Sequence, residues 1–142
     1  MTTPRDDFPR PDTWLTMHVS YGETDCAGVV YYGEYLHWFE KARGLLIRDH
    51  GMSYSEVEQR GVLLPVRRAE VRYVRPARYD EEVAVRCGIS AWGRASMTFA
   101  YQVWGPPERS VLLATGETEH AAVGPDWKPL RIPDWLRSLF SA

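Results

Sequence analysis

Apolar and polar residues alternate near the start of the chain and again over most of its second half. Residues 15–21 alternate with the two-residue period of a strand that buries one face. Four later runs share this pattern: residues 69–73, 83–89, 97–103 and 111–123. Trp92-Gly93 and Gly105-Pro106-Pro107 are turn signals between these runs. The pattern predicts one early strand and four later strands that follow one another without a helix.

Residues 34–50 follow a different period, with apolar side chains recurring every three or four positions. The apolar members are Tyr35, Leu36, Trp38, Phe39, Ala42, Leu45 and Leu46, and the polar members are Glu34, His37, Glu40, Lys41, Arg43 and Arg48. This pattern predicts an amphipathic helix about 25 Å long. Gly51 lies where a left-handed cap would end it, and Glu40 and Arg43, three residues apart, are candidates for an ion pair on the helix.

One long helix with an apolar stripe and a run of strands joined by short turns predict an α+β fold. We expect an antiparallel β-sheet wrapped around one long central α-helix. Residues 1–13 are predicted to be a flexible N-terminal lead and residues 14–142 a single domain. A final short helix is predicted over residues 134–140, with Pro133 near its start.

Composition narrows the classes of function. The formal charge is -2, so no basic field would attract nucleic acid. Two cysteines do not form a disulfide framework, and no apolar run has the length of a signal peptide or a membrane span. We therefore expect a cytoplasmic protein without integral membrane association. An aromatic content of 13% is typical of apolar pockets and subunit interfaces.

The loop between the first strand and the long helix is the candidate site of chemistry. Asp25 lies among Gly22, Gly28 and Gly33, just ahead of the helix. The first N–H groups of a helix lack internal partners and suit a developing oxyanion. From spacing alone two interpretations remain open: Asp25 caps a turn, or it is a catalytic carboxylate beside these donors.

This loop resembles the signature of the 4-hydroxybenzoyl-CoA thioesterase family, in particular its YbgC-like branch. The signature is approximately Tyr-x-x-Thr-Asp-x-x-Gly-Val-Val-Tyr, and the matching residues are Tyr21, Thr24, Asp25, Gly28, Val29, Val30 and Tyr31. The resemblance extends over about residues 14–133. It implies a hotdog fold, hydrolysis of an acyl-CoA to a free acid and CoA, and no cofactor. It also implies active sites shared between the subunits of a homodimer or homotetramer.

The resemblance also implies roles for individual residues. Asp25 corresponds to the catalytic carboxylate, either as nucleophile or as general base, and the oxyanion donor maps to the backbone N–H of Tyr32 or Gly33. Tyr21 is counted with this catalytic group. Substrate-lining positions are Gly28, Val29, Val30 and Tyr31. The YbgC-like branch usually has His where this chain has Tyr32, and a phenol, whose ordinary pKa is about 10, is a poor base at neutral pH.

The phosphates of CoA require cations. The candidates for this role are Arg94, Ser96, Lys128 and Arg131, each of which could instead be an ordinary surface residue. Cys26 shows no arrangement with a His that would make it a nucleophile. The residues His18, Glu23, Asp25 and His37 lack the spacing of metal ligands, so we expect no metal.

Two other functions are compatible with these residues. The first is a non-catalytic acyl-CoA-binding or assembly protein that keeps the fold and the loop. The second is a hotdog hydratase or dehydratase, which would require a His paired with an acid in the central loop. The sequence shows no such pair, so hydrolysis of a thioester is the leading hypothesis.

Overall fold

The computed structural model describes residues 6–141, and within them five strands and three α-helices follow one another along the chain. The elements in chain order are β1 (Asp12–His18), α1 (Glu34–Asp49), α2 (Tyr54–Gln59), β2 (Val66–Tyr73), β3 (Glu82–Trp92), β4 (Ser96–Gly105), β5 (Val111–Ala121) and α3 (Asp134–Leu139). A short 3₁₀ turn, Tyr21–Glu23, precedes α1.

All five strands form one antiparallel sheet in the order β1-β3-β4-β5-β2. Helix α1 packs on one face of this sheet, so the predicted hotdog architecture is confirmed. Strands β1 and β2 form the two edges, because each pairs with only one other strand among the described residues.

The apolar stripe of α1 forms the centre of the core. Trp38, Phe39, Ala42 and Leu46 are fully buried, at the spacing expected for one face of a helix. The Phe39 ring stacks on that of Tyr101 in β4, with centroids 4.2 Å apart. Helix α1 ends one residue earlier than predicted, and Gly51 follows it with a φ of +91°, as expected for a glycine cap.

Two positions on α1 differ from the prediction. Leu36, assigned to the apolar stripe, is 42% exposed. Arg43, assigned to the polar side, is only 8% exposed, because it lies between the sheet face and α2. Glu40 is paired with His37 at 4.0 Å and not with Arg43.

The N-terminal segment also differs from the prediction. Strand β1 begins at Asp12, so Asp12 and Thr13 belong to the sheet and not to the lead predicted for residues 1–13. Residues just before the strand are fixed as well, since the carboxylates of Asp6 and Asp12 both pair with Arg86, at 2.8 and 2.6 Å. Residues 1–5 of the predicted lead lie outside the described part.

The sequence pattern missed helix α2 and extended β5 too far. Helix α2 has only six residues, and its start is fixed by the Ser53 hydroxyl, which accepts the N–H of Glu56. Strand β5 ends at Ala121, and Val123 instead forms isolated bridges with Leu63 and Pro129. The final helix was predicted correctly to within one residue.

Candidate functional site

A tight, hydrogen-bonded loop holds Asp25 ahead of α1. The Asp25 N–H donates to the Val29 carbonyl at 2.8 Å, and the Gly28 N–H donates to the Asp25 carbonyl at 3.0 Å. Gly28 has a φ of +81°, which favours glycine there. A bridge between Val29 and Arg78 then fastens the loop to the segment before β3. The loop is therefore a defined part of the fold.

The Asp25 side chain caps this turn. Its Oδ1 accepts the N–H of Ala27 at 2.8 Å, so the turn-cap interpretation describes the geometry correctly. The side chain is exposed, and no residue within 6–141 donates to Oδ2. One carboxylate oxygen thus fixes the orientation while the other remains accessible, so the cap and the catalytic role are compatible.

Helix α1 begins next to this loop with backbone donors that the fold leaves open. Tyr31 donates its N–H to Glu23 and Glu34 donates to Tyr31. Among the described residues, the N–H groups of Tyr32 and Gly33 have no hydrogen-bond acceptor. The Tyr73 hydroxyl donates to the Tyr32 carbonyl at 2.7 Å and holds the backbone there. These are the donors that an oxyanion at the helix N-terminus would need.

Asp25 and the start of α1 share a cavity of about 310 Å³. Its lining residues are Asp25, Val29, Val30, Tyr32, Tyr35, Tyr73, Val74, Arg75 and Pro76. Of the residues predicted from the sequence, Asp25, Val29, Val30 and Tyr32 are brought together here. The sequence did not single out Tyr35, Tyr73 or Val74, which come from α1 and from the end of β2.

Four other predicted residues do not line this cavity. Tyr21 is 77% exposed and packs edge-on against Tyr79, with ring centroids 5.7 Å apart. Gly28 and Gly33 shape the backbone: Gly33 is the N-cap of α1, and a Cβ there would lie 2.8 Å from the Tyr31 ring. Tyr31 is thus placed over Gly33 and beside Tyr32.

Glu23 anchors the loop to α1, a role that the sequence did not reveal. Its Oε2 accepts the indole N–H of Trp38 at 2.6 Å, and its Oε1 accepts the N–H and the hydroxyl of Ser20 at 2.8 and 2.9 Å. Although partial burial opposes ionisation, the donors from Ser20 and Trp38 hold the pKa of Glu23 below its ordinary value. Glu23 therefore stays ionised and fixes the loop that carries Asp25.

The predicted phosphate-binding residues lie at the opposite end of α1. The Arg94 carbonyl accepts the N–H of Ile132. Trp92, two residues before Arg94, packs against Phe140 with ring centroids 6.0 Å apart, and Phe140 packs against His50, the C-cap of α1, at 5.1 Å. A 16-residue helix is about 24 Å long, so one chain does not bring this region next to Asp25.

Arginines are concentrated in this distant region. Arg94 and Arg131 line a cavity of about 440 Å³ together with Arg137, which the sequence did not single out. Arg137 is oriented by a 2.6 Å hydrogen bond to the Gly93 carbonyl. Ser96 is the first residue of β4, and Lys128 is exposed in the loop that follows β5.

The remaining candidates are on the surface. His18 and His37 are exposed and pair with Glu82 and Glu40. Within residues 6–141 no group of three His, Cys, Asp or Glu side chains could hold a metal ion. Cys26 is an exposed free thiol, whereas Cys87 is buried. Across this same span, no helix has the length and apolarity needed to cross a membrane.

Comparison with known proteins places the chain in a family. A sequence model of the thioesterase-like superfamily matches residues 19–140. The putative acyl-CoA thioesterase YneP of Bacillus subtilis is 34% identical over 124 residues, covering 84% of this chain and 88% of that protein. The acyl-CoA thioester hydrolase YbgC of Escherichia coli is 30% identical over 118 residues, covering 82% and 87%.

The fold comparison agrees with the sequence comparison. The DHNA-CoA thioesterase of Staphylococcus aureus superposes with a TM-score of 0.81 and 32% identity, over 89% of this chain and 87% of that one. The chain therefore belongs to the thioesterase-like superfamily and has its hotdog fold.

Proposed function

We propose that this chain, an acyl-CoA thioester hydrolase, uses Asp25 as its catalytic carboxylate. The observation that carries this assignment is the cavity that Asp25 shares with the N-terminus of α1. A substrate carbonyl in that cavity would find a free carboxylate oxygen on one side. On the other side it would find the unpaired N–H of Tyr32, which lines the cavity, and next to it the unpaired N–H of Gly33 at the start of α1.

Two routes are compatible with this arrangement. Asp25 attacks the thioester carbon to form an anhydride, which water then hydrolyses, or it removes a proton from the water that attacks. In both routes the carbonyl oxygen becomes an oxyanion and the CoA thiolate leaves and takes up a proton. Backbone donors at a helix N-terminus would stabilise that oxyanion.

The cavity supports a compact acyl group, with aromatic groups favoured. Its volume of about 310 Å³ is at the small end for ligand pockets. The rings of Tyr32, Tyr35 and Tyr73 contribute to its wall, and such rings pack well against a flat aromatic acyl group. We expect a higher kcat/KM for aromatic and short acyl-CoAs than for long-chain ones.

Replacing Asp25 by Asn tests the catalytic assignment. Asn keeps an oxygen for the Ala27 N–H and thus preserves the turn, but it neither attacks nor accepts a proton. We expect kcat for thiol release to fall roughly 10²- to 10⁴-fold with the stability of the protein unchanged. The matched control is Asp80→Asn, the same change on an exposed aspartate outside the cavity, which should retain full activity.

Two outcomes would contradict the assignment. An Asp25→Asn variant as active as the parent would show that another group does the chemistry. Saturable binding of acyl-CoAs without thiol release by the parent, across aromatic, short, medium and branched acyl groups, would favour the non-catalytic alternative.

We further propose that the working protein is a homo-oligomer, acting in the cytoplasm, in which two copies complete each site. The free edge of β2 supports this, because an unpaired edge strand readily pairs with another copy. The exposed apolar residues beside it support it too: Tyr32, Leu36, Val66, Tyr73 and Val74. A two-fold axis at this edge would reverse α1 and bring the arginines of one copy towards Asp25 of the other.

Mixing two defective variants tests the shared site. One carries Asp25→Asn, and the other carries Arg94→Gln with Arg131→Gln. After subunit exchange, half of the dimers are mixed, and each mixed dimer has one intact site, so about a quarter of the parent kcat/KM should return. Mass spectrometry verifies that the subunits have exchanged. If no activity returns after verified exchange, both groups act within one chain.

A further inference from the structure

Arg43 is a buried cation that the proposed reaction does not use. Its guanidinium is held by two neutral phenols: Nε donates to the Tyr54 hydroxyl and Nη1 to the Tyr101 hydroxyl, both at 3.1 Å. Among residues 6–141 it forms no ion pair. Buried arginines are usually paired with an anion, because removing a charge from water is costly. The absence of a carboxylate on this guanidinium therefore requires an explanation.

The hydrogen bonds beyond Tyr101 show that this arrangement is built. His120 Nδ1 faces the Leu64 carbonyl at 2.8 Å and must donate to it. Burial lowers the pKa of His120 to about 4, so its Nε2 accepts the Thr118 hydroxyl proton at 2.8 Å. Thr118 in turn accepts from Tyr101 at 2.6 Å, and Tyr101 accepts from Arg43. The chain of donors therefore runs in one direction, from Arg43 through Tyr101, Thr118 and His120 to the Leu64 carbonyl.

The free side of Arg43 faces open space. Nη2 makes no hydrogen bond with the described residues. Every fully buried side-chain nitrogen or oxygen among these residues has a hydrogen-bond partner, so Nη2 must be accessible to solvent. Arg43 lines two adjoining cavities, of about 600 and 350 Å³. The larger one runs between α1 and α2, with Leu45 and Leu64 among its apolar walls.

The charges around the larger cavity are mixed. Lys41 and Arg48 line it with Arg43, against the carboxylates of Glu40 and Glu58. Glu40 is exposed and pairs with His37 at 4.0 Å. Three permanent cations therefore face two carboxylates, and the only one of these charges that is buried is Arg43.

We infer that this cavity is a second binding site, separate from the one at Asp25, for a small organic carboxylate. The planar guanidinium presents unused N–H donors that match a carboxylate, and Leu45 and Leu64 would contact the apolar body of the acid. Two sources have this chemistry: the acid released by the protein's own reaction and an unrelated metabolic acid. The site itself does not depend on the function proposed for Asp25.

The inference is tested by calorimetric titration of the full chain with sodium benzoate and with sodium butanoate. Sodium chloride keeps the ionic strength constant. We expect saturable binding of one carboxylate per chain. Binding should persist in the Asp25→Asn variant and weaken about tenfold or more in Arg43→Gln, which loses a charge-assisted hydrogen bond. Arg72→Gln, the same change on an exposed arginine outside the cavity, should bind like the parent. Titration with the acid from the best acyl-CoA substrate then separates the two sources.

A second variant keeps the test decisive if Arg43→Gln does not fold. Gly44 lines the cavity, and the nearest atoms to a Cβ there belong to the flexible end of Arg48, at 3.4 Å. Gly44→Leu should therefore fill the cavity without disturbing Arg43, and it should abolish carboxylate binding while thioester hydrolysis continues. Binding unaffected by both variants would overturn the inference. The inference would also be overturned if the parent bound no carboxylate and Gly44→Leu converted the oligomer into monomers. That result would show that a second copy of the chain fills this cavity.

Discussion

Glu23 connects the loop of Asp25 to the core through a single indole donor. Trp38 is fully buried, and its Nε1–H donates to Glu23 at 2.6 Å. In Glu23→Ala this donor has no acceptor, which typically costs about 1–3 kcal/mol. We expect that loss in the free energy of unfolding, measured by urea denaturation. Thiol release should also fall, because the loop loses its attachment to α1.

The matched control is Trp38→Phe, which removes the donor and the need for an acceptor together. In the Trp38→Phe background, Glu23→Ala should cost clearly less than it does in the parent. Equal costs in both backgrounds would show that Glu23 acts through Ser20 alone.

At the residue scale the sequence predicted Asp25 and its neighbours Val29, Val30 and Tyr32, because they are adjacent in the chain. It could not predict Tyr35 and Tyr73, since both reach the cavity only when the end of β2 packs beside α1. It also could not show that Asp25 caps its turn while one oxygen stays free, since this depends on the path of the loop.

Close approach of α1 to the sheet depends on a glycine in the middle of β5. A Cβ at Gly116 would lie 2.4 Å from the Phe39 ring and 2.8 Å from the Glu70 carbonyl oxygen. Gly116→Ala should therefore force α1 outward or shift Phe39 off Tyr101. We expect a loss of about 1–3 kcal/mol in unfolding free energy, the usual cost of overpacking a core. Thr115→Ala, one residue earlier and on the other face of the strand, should cost less, and an equal cost would contradict this explanation.

At the element scale the periods of two and of 3.6 residues predicted every strand and the long helix, because apolar and polar residues recur regularly in each of these segments. They missed α2, which has six residues and buries only Val57. They also placed Arg43 on the solvent side, because periodicity assigns polar residues to the surface. Only the fold shows that Tyr54 and Tyr101 satisfy its guanidinium there.

At the scale of the whole molecule, the candidate site is divided between the two ends of α1. The sequence predicted Asp25 for the thioester of a CoA substrate and Arg94 and Arg131 for its phosphates, and so as parts of one site. A helix of 16 residues separates them within one chain. Sequence order contains no information on this separation, and the proposed second copy is what would reunite the two groups.

Stability as a whole should depend on pH through His120. Burial, and to a smaller extent the charge of Arg43, lower the pKa of this imidazole from 6.5 to about 4. A lowered histidine pKa favours the neutral folded form, so its contribution is complete above pH 6.5 and is lost as the pH falls towards 4. The loss is about 3 kcal/mol between pH 7 and pH 4 for one group.

Denaturation of the parent and of His120→Gln across this pH range checks this loss of stability. The variant should be less stable at pH 7, and the difference should shrink on acidification. The carboxylates with lowered pKa values, Asp6, Glu23 and Glu119, are common to both proteins and cancel in this difference. Parallel pH curves for the two proteins would show that His120 does not titrate on unfolding in this range.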